Sequence, residues 1–222
     1  MKLARLKARR WLAARKRPDD PFAQLLGSAL PRSSTPLAAT EFVSLDIETT
    51  GLDAERADIL SVGWVVVRGG RVDLGTAESY LVRPAGAVGN SASVHGLTDT
   101  VVSQGLDWET ALDKVVQALS GRVLLVHHAG LDKALLDKLC LQRFGERLLV
   151  PVVDTLELEH RRQRRQHHVE ANSSLRLPDL REAYGLPRYA AHDCLVDAIA
   201  AAELVLAMAA HRNLSTLGDL TS

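Results

Sequence analysis

The chain has 222 residues, 46% hydrophobic and 24% charged, and equal numbers of basic and acidic side chains give it no formal net charge. This length is typical of one α/β domain with an appendage, and the composition excludes a disordered, collagen-like or coiled-coil protein. Two cysteines, Cys140 and Cys194, are too few for a disulfide framework or a structural zinc site and favour a reducing compartment. Charged residues interrupt every apolar run before the roughly 18–20 residues that span a bilayer, so the sequence predicts no membrane span.

The neutral total conceals a basic N-terminus. Residues 1–17 hold eight basic side chains and no acidic one, so this arm carries +8 and the rest of the chain −8. Residues 18–40 are rich in proline, serine and threonine, and we interpret them as a linker to a domain at 41–212, followed by a short tail at 213–222. Such an arm is typical of a polyanion contact. We expect it to be dispensable for chemistry, so that deleting residues 1–36 leaves turnover nearly unchanged.

The first part of the domain predicts three consecutive strands. Alternating or β-branched residues occupy Phe42–Glu48, Ile59–Val67 and Val72–Val82, and Gly69-Gly70 forms a turn between the last two. Neighbouring strands joined this closely pair antiparallel. This half of the sheet is therefore expected to be a meander.

Strands then alternate with helices. The pattern predicts helices at Trp108–Leu119 and about Leu131–Phe144, a short helix at Pro178–Tyr184 and a long one from about Asp193 to Ala210. Strands are expected between or after them, at Val123–Val126 and Leu148–Val153. The fold class is therefore α/β, with a mixed sheet of three antiparallel and two parallel strands flanked by helices.

Two carboxylates, Asp46 and Glu48, alternate with apolar residues on the first strand. Side chains on a strand alternate between faces, so both acids leave from one face, about 6–7 Å apart. The other face carries Val43, Leu45 and Ile47. Exposed acids on an edge strand are the alternative interpretation. The apolar partners favour a central buried strand, where two like charges are costly unless a cation neutralises them.

A third acid, Asp132, stands where the strand Val123–Val126 gives way to a helix. Acidic side chains at helix N-termini ordinarily satisfy free N–H groups, so Asp132 alone is more typical of a cap than of a metal ligand. A role as a ligand depends on other acids that converge on the same place.

His192 and Asp197 flank the start of the last helix, and Asp193 between them is a suitable N-cap. Residues five positions apart on one helix diverge by about 140°, so these side chains converge only if His192 lies in the preceding loop. The predicted cap supplies that loop. A surface or capping histidine is the alternative for His192.

Together these residues resemble the DEDDh-type 3′→5′ exonucleases, the family of the epsilon proofreading subunit of bacterial DNA polymerase III, ribonuclease T and oligoribonuclease. The resemblance covers about residues 41–210 and implies a ribonuclease-H-like fold. Four acids and one histidine match in order and spacing: Asp46, Glu48, Asp132, His192 and Asp197. Further matching motifs are Thr49-Thr50-Gly51-Leu52, Val94-His95-Gly96-Leu97-Thr98, Asp154-Thr155-Leu156 and Leu177-x₂-Leu180-x₃-Tyr184-Gly185.

The resemblance implies hydrolysis of a phosphodiester with two divalent ions, Mg²⁺ or Mn²⁺, which carboxylates suit. Asp46 would bridge both ions, and Glu48 and Asp197 would hold the ion beside the attacking water. Asp132 would support the other ion, largely through water. His192 would be the general base, because imidazole titrates near neutrality.

The same resemblance implies a grip on the terminal nucleotide. Backbone groups near Thr49 and Thr50, the side chain of Leu52, and His95 would contact its sugar and base. An ordinary strand-ending turn and a loop histidine are the alternatives for these residues.

The sequence thus predicts an exonuclease that releases nucleoside 5′-monophosphates from a single-stranded DNA or RNA 3′ end. A stand-alone role in repair or RNA processing is favoured, because the chain ends about a dozen residues after its last helix without a segment suited to a polymerase or clamp. The alternatives are a proofreading subunit of a DNA polymerase and a non-catalytic nucleic-acid-binding module. The cytoplasm is the expected location, or the mitochondrial matrix if the basic arm is a presequence.

Overall fold

A five-stranded mixed sheet in the order β3-β2-β1-β4-β5 forms the centre of the computed structural model, which describes residues 3–15, 20–86, 97–165, 174–190 and 192–221. The strands β1 to β3 are antiparallel, whereas β4 and β5 run parallel to β1. The strands are β1 Phe42–Thr49, β2 Ile59–Arg68, β3 Arg71–Leu81, β4 Val123–Val126 and β5 Val152–Asp154. The mixed sheet predicted from the sequence is confirmed.

Helices cover both faces of this sheet. Within the described residues they are α1 Leu3–Ala14, α2 Pro21–Gly27, α3 Asp99–Val102, α4 Trp108–Ala118, α5 Ala129–Phe144, α6 Thr155–Arg165, α7 Leu177–Ala183, α8 Cys194–His211 and α9 Leu217–Thr221. Buried side chains of α2, α4 and α5 pack on the face that carries Val43, Leu45 and Ile47. Those of α7, α8 and α9 pack on the opposite face, with Phe42.

The central position of β1 follows from its neighbours, β2 on one side and β4 on the other. Its apolar face is buried as predicted, with Val43 and Leu45 at most 1% exposed. On the other face, the Ser44 hydroxyl donates to the carbonyl of Ala198 at 2.7 Å, which joins β1 to α8. The two acids of β1 therefore emerge beneath α8 and not at a sheet edge.

The last strand is shorter than predicted. Only Val152–Asp154 pairs with β4, whereas Leu148–Pro151 lies outside the strands, although its three apolar residues are buried. Pro151 has no N–H to donate to a ladder, which accounts for the late start of β5. Burial of an apolar run is thus not sufficient to make it a strand.

Residues 18–40 are not a linker over the part that the structure describes. Asp20 accepts a hydrogen bond from the Ala23 N–H at 2.6 Å and caps α2, in which Pro21 occupies the first turn. Phe22 and Leu25 are fully buried, and the Phe22 ring stacks on Phe144 with centroids 4.8 Å apart. Pro21 is therefore a helix-initiating residue, and α2 belongs to the core.

The N-terminal arm also contacts the body. Leu6 and Ala13 of α1 are buried, and the buried Arg10 guanidinium donates to the carbonyls of Leu25, Ser28 and Leu149. Deletion of residues 1–36 would remove these contacts together with the core residues of α2. The expectation that this deletion spares turnover is therefore replaced by an expected loss of stability.

Among the described helices, α8 is long and apolar enough to cross a membrane by length and composition, with 18 residues and a mean hydropathy of 1.7. Asp197 and Glu203 interrupt its apolar sequence. In the fold this helix packs on the sheet, and its own residues Ala198, Ala202 and Val205 are buried. The apolar side chains of α8 thus form part of the hydrophobic core.

Candidate active site

The predicted site residues that the structure describes line one pocket. It has a volume of about 510 Å³ and lies where β1 and β4 end and where α5 and α8 begin. Its walls include Asp46, Glu48, Thr49, Thr50, Leu52, Asp132, His192 and Asp197. His95 falls outside the described residues. Residues separated by up to 150 positions in the chain are thus brought to the carboxyl end of the central strand.

Three of the acids form a compact cluster. Asp46 and Glu48 on β1 and Asp197 on α8 each offer a carboxylate oxygen, and these atoms lie within 4.8 Å of one another. The alternation of β1 supplies two of them on one face, and the packing of α8 on that face brings the third. This is a donor set suited to a hard divalent cation, because it consists of carboxylate oxygens.

The fourth acid, Asp132, lies in the first turn of α5 and is 4% exposed. The N-terminal amides of this helix do not rely on it as a cap, because Asp154 accepts from the N–H groups of His128 at 2.9 Å and Ala129 at 2.8 Å. Asp132 instead lines the pocket with the other acids. The capping alternative for Asp132 therefore does not describe its environment.

Asp154 positions two helices at once, a role that the sequence did not reveal. Besides the start of α5, its carboxylate accepts from the N–H of Leu156 at 3.0 Å, in the first turn of α6. The sequence motif Asp154-Thr155-Leu156 was a signal for this residue. Its function could not be inferred, since the amides of α5 that it holds are about 25 residues away in the chain.

His192 lies in the loop before α8, as the capping argument predicts. Asp193 caps the helix by accepting from the N–H groups of Leu195 and Val196, both at 3.0 Å. The His192 backbone is in the left-handed region, with φ of 71°, and its N–H donates to Asp197 Oδ2 at 2.9 Å. The left-handed turn thus folds the histidine back over the acid, although five positions separate them.

The pKa values of all four acids are raised above their usual range. Burial, with neighbouring carboxylates adding to it, raises the pKa of Asp46 well above its usual range. Burial and the charge of Asp197 raise the pKa of Glu48 to about 7. Burial also raises the pKa of Asp132 and of Asp197. Ionising all four together is therefore unfavourable unless positive charge enters the pocket.

Close packing of α8 on the sheet depends on Gly63. This residue lies on β2 and is the partner of Asp46 in the pairing of β2 with β1. A Cβ at this position would lie 2.6 Å from the backbone nitrogen of Leu195 and 2.8 Å from the carbonyl carbon of Cys194. Glycine therefore lets the first turn of α8 approach the sheet, and that turn carries Asp197. A glycine inside a β-branched strand signals such an approach, but does not show which element comes close.

A buried arginine, Arg181 on α7, holds the loop before His192. It is 1% exposed and donates to the carbonyl of Pro187 at 3.0 Å in that loop and to the carbonyl of Ala200 at 2.8 Å on α8. It also pairs with Glu203 at 2.8 Å. Its burial could not be predicted from the sequence, because an arginine on a short polar helix is typical of an exposed face.

The turn after β1 forms the opposite wall. The Thr49 hydroxyl donates to the carbonyl of Gly51 at 2.7 Å. The Thr50 N–H donates to the carbonyl of Asp58, and the Thr50 hydroxyl accepts from the Asp58 N–H, both at 3.0 Å. These contacts close a turn, as the structural alternative predicts. Leu52 at its tip is 90% exposed at the pocket, which leaves a free apolar surface there.

His127 supports the pocket from below. Its Nδ1 lies 2.8 Å from Thr155 Oγ1 and its Nε2 lies 3.0 Å from the carbonyl of Leu175. A carbonyl only accepts, so Nε2 carries a proton, and burial lowers the pKa of the ring, which favours the neutral form. Both nitrogens are thus engaged, and His127 is a structural histidine.

A mixed sheet with acids gathered at the carboxyl end of its central strand defines a nuclease domain. Residues 43–205 match the RNase_T family, which is described as an exonuclease, and the chain belongs to this family. The exonuclease class expected from the four acids and the histidine is thereby confirmed.

Relatives with curated descriptions are much longer proteins. The PolC-type DNA polymerase III of Caldanaerobacter subterraneus subsp. tengcongensis is 27% identical over 168 residues, which cover 76% of this chain and 11% of the polymerase. The enzyme of the same description from Oceanobacillus iheyensis is 30% identical over 118 residues, 53% of this chain and 8% of that protein. The chain thus spans about a tenth of the length of these relatives.

Solved structures share the fold. Exonuclease I from Methylocaldum szegediense has a TM-score of 0.66 and 17% identity, covering 79% of this chain and 42% of that chain. Exonuclease I from E. coli in complex with a dT13 oligonucleotide has a TM-score of 0.67 and 15% identity, with coverages of 78% and 42%. The ribonuclease-H-like fold expected from the sequence is confirmed by this likeness.

We predict that Gly63→Ala lowers kcat by about 10²-fold. The added methyl group forces the first turn of α8 away from β2, and a displacement of about 1 Å at a reacting group has a cost of this order. Gly27→Ala is the matched control, since a Cβ there meets nothing within 4 Å. Steady-state kinetics on both variants, with circular dichroism to verify folding, measures the effect. Parental kcat in a folded Gly63→Ala protein would show that the close approach of α8 is unnecessary.

Proposed function

We propose that this chain is a metal-dependent 3′→5′ exonuclease that releases nucleoside 5′-monophosphates from single-stranded nucleic-acid ends. The observation that carries the proposal is the cluster of Asp46, Glu48 and Asp197 within 4.8 Å, in a chain of the exonuclease family. Asp132 and His192 line the same pocket. This arrangement offers ligands, a proton acceptor and a space for a terminal nucleotide side by side.

The donor set fits divalent cations. Carboxylate oxygens suit Mg²⁺ and Mn²⁺, and the raised pKa values of the four acids support the binding of a cation in the pocket. Asp46, Glu48 and Asp197 would hold one ion, and Asp132, with Asp46, would support a second, largely through water. Two bound ions supply activation of water and stabilisation of the departing oxygen.

His192 is the proposed general base. Its position beside Asp197 is set by the backbone hydrogen bond between them, and its ring lines the pocket. An imidazole accepts a proton near neutral pH, which suits removal of a proton from the attacking water. His127 cannot take this role while both its nitrogens are hydrogen-bonded.

The strand end is proposed to enter between the turn after β1 and the start of α5. Exposed Leu52 offers an apolar face to the terminal base, and the backbone near Thr49 and Thr50 lies beside the acids. The E. coli exonuclease I of similar fold binds a dT13 oligonucleotide, which supports a single-stranded substrate here. His95 remains a proposed contact from its sequence motif alone.

Two physiological roles follow from different observations. The likeness in fold to exonuclease I favours a stand-alone exonuclease. The similarity to PolC-type DNA polymerases favours a second candidate, proofreading of a polymerase product. Preference for a mismatched over a matched primer end, in the presence of a polymerase, would distinguish the second role from the first.

The experiment that tests the proposed activity follows single-stranded DNA and RNA, labelled at the 5′ or the 3′ end, with Mg²⁺, Mn²⁺ or EDTA. We expect a ladder that shortens from the 3′ end, mononucleotide products and no reaction in EDTA. Degradation from the 5′ end, or a ladder that persists in EDTA, would contradict the proposal.

We predict that Asp46→Asn abolishes turnover. The amide keeps the size of the side chain but removes the charge of the residue proposed to contact both ions. The control is Asp73→Asn on β3, which lies outside the pocket. Rates of mononucleotide release with Mg²⁺ measure the change, and near-parental activity in Asp46→Asn would refute the ligand assignment.

We predict that His192→Ala lowers kcat by about 10²–10⁴-fold, the scale of general acid–base catalysis, while metal affinity is retained. Because the amide of His192, and not its ring, donates to Asp197, the alanine variant keeps that backbone contact and the position of the acid. His160→Ala on α6 serves as the control. An unchanged rate in a folded His192→Ala protein would remove the residue from the mechanism.

A further inference from the structure

Helix α1 has two different faces. One face packs on the body through Leu6 and Ala13, with the buried Arg10 between them. The other face is exposed and carries Trp11, which is 58% exposed. Trp11 therefore takes no part in the packing of α1 on the body, and its indole faces solvent.

The exposed face contains a stripe of three residues, Lys7, Trp11 and Arg15. They are spaced four positions apart and therefore share one side of the helix. The Arg15 guanidinium lies over the Trp11 ring, 4.4 Å from its centroid. The Lys7–Trp11–Arg15 stripe thus presents an aromatic ring with a cation over one of its faces and a second cation, Lys7, one helical turn earlier.

The chemistry of this stripe fits a nucleic acid better than a bilayer. An interfacial helix buries a broad apolar face in lipid, but the apolar face of α1 is packed on the protein. What remains outside is basic and aromatic. The first 17 residues carry +8 and the rest of the chain −8, so a polyanion is attracted to the arm and repelled elsewhere.

We propose that the Lys7–Trp11–Arg15 stripe binds single-stranded nucleic acid upstream of the 3′ end that occupies the pocket. Trp11 stacks on a base, and Lys7 and Arg15 neutralise phosphates. Arg9 is less available, because it pairs with Glu146 at 2.7 Å. The proposal rests on the proposed function for the position of the strand, and adds a second contact that lengthens the substrate footprint.

The stripe and the pocket are far apart. Helix α1 contacts Glu146 and Leu149, just beyond the C-terminal end of α5, whereas Asp132 lies at its N-terminal end. The 16 residues of α5 span about 24 Å at 1.5 Å per residue. A stacked strand covers that distance in about seven nucleotides at roughly 3.4 Å each. Short oligonucleotides therefore fill the pocket without reaching the stripe.

The experiment measures binding of 5′-fluorescein-labelled dT20 and dT4 to the full chain by anisotropy in Mg²⁺, with every protein carrying His192→Ala so that the proposed hydrolysis is slowed while the acids that would hold the metal are kept. We expect Trp11→Ala to weaken dT20 binding about 5- to 100-fold, the range of one base–aromatic stack, and to leave dT4 binding unchanged. Trp11→Leu should behave like Trp11→Ala, because it keeps apolar bulk but loses the flat ring. Leu12→Ala is the matched control, since Leu12 is 56% exposed beside Trp11 but lies off the stripe.

Salt dependence tests the cations separately. Replacing Lys7 and Arg15 by Gln should reduce the slope of log K against log salt for dT20 by about 1.4, at about 0.7 per phosphate contact on a single strand. The slope for dT4 should stay at the parental value. An unaltered slope for dT20 would overturn the assignment of these two residues.

Three outcomes overturn the proposal: parental dT20 binding in folded Trp11→Ala, equal losses for Trp11→Ala and Leu12→Ala, or equal losses for dT20 and dT4. Binding to phosphatidylserine vesicles that Trp11→Ala abolishes, with dT20 binding unchanged, would replace nucleic acid by a membrane. Length-dependent binding without hydrolysis by the parent in Mg²⁺ would refute the proposed activity alone. Hydrolysis without the effect of Trp11 would refute only the stripe.

Discussion

Mutual repulsion among buried carboxylates is the constraint on which the rest of this structure depends. Asp46, Glu48, Asp132 and Asp197 are gathered in one pocket, and burial raises the pKa of each. No stability is gained by such an arrangement in the unliganded protein, because each charge increases the cost of the next. Other contacts in the fold must therefore hold the acids together. A bound cation would offset the repulsion between their charges.

Those means lie in residues that do not line the cluster. Gly63 lets α8 reach the sheet, Asp154 anchors the starts of α5 and α6, and Arg181 ties the loop before His192 to α8. Each acts on the backbone of an element that carries a functional side chain. The pocket is thus set by rigid strand and helix ends, which favours fixed distances between the acids.

The sequence predicted the parts of this architecture that depend on local rules. Alternation placed Asp46 and Glu48 on one face of β1, and the capping preference of Asp193 placed His192 in a loop. The sequence prediction failed where burial and packing depend on contacts between distant parts of the chain. Phe22 is buried because α4 and α5 lie beside α2, so the proline-rich segment was misinterpreted as a linker. Gly63 had a local signal, but the element that approaches it was not visible in the sequence.

The most direct test of the central claim compares the unfolding free energy of the parent with that of Glu48→Gln from pH 5 to 8, in EDTA and in Mg²⁺. Folding raises the pKa of Glu48 from 4.5 to about 7, so between these values the folded state binds more protons and stability falls as the pH rises. In EDTA the parent should lose up to about 2 kcal/mol relative to the variant between pH 5 and pH 7, and the loss should level off above pH 7. Mg²⁺ at pH 8 should stabilise the parent more than the variant. Parallel stability curves in both conditions would contradict the account.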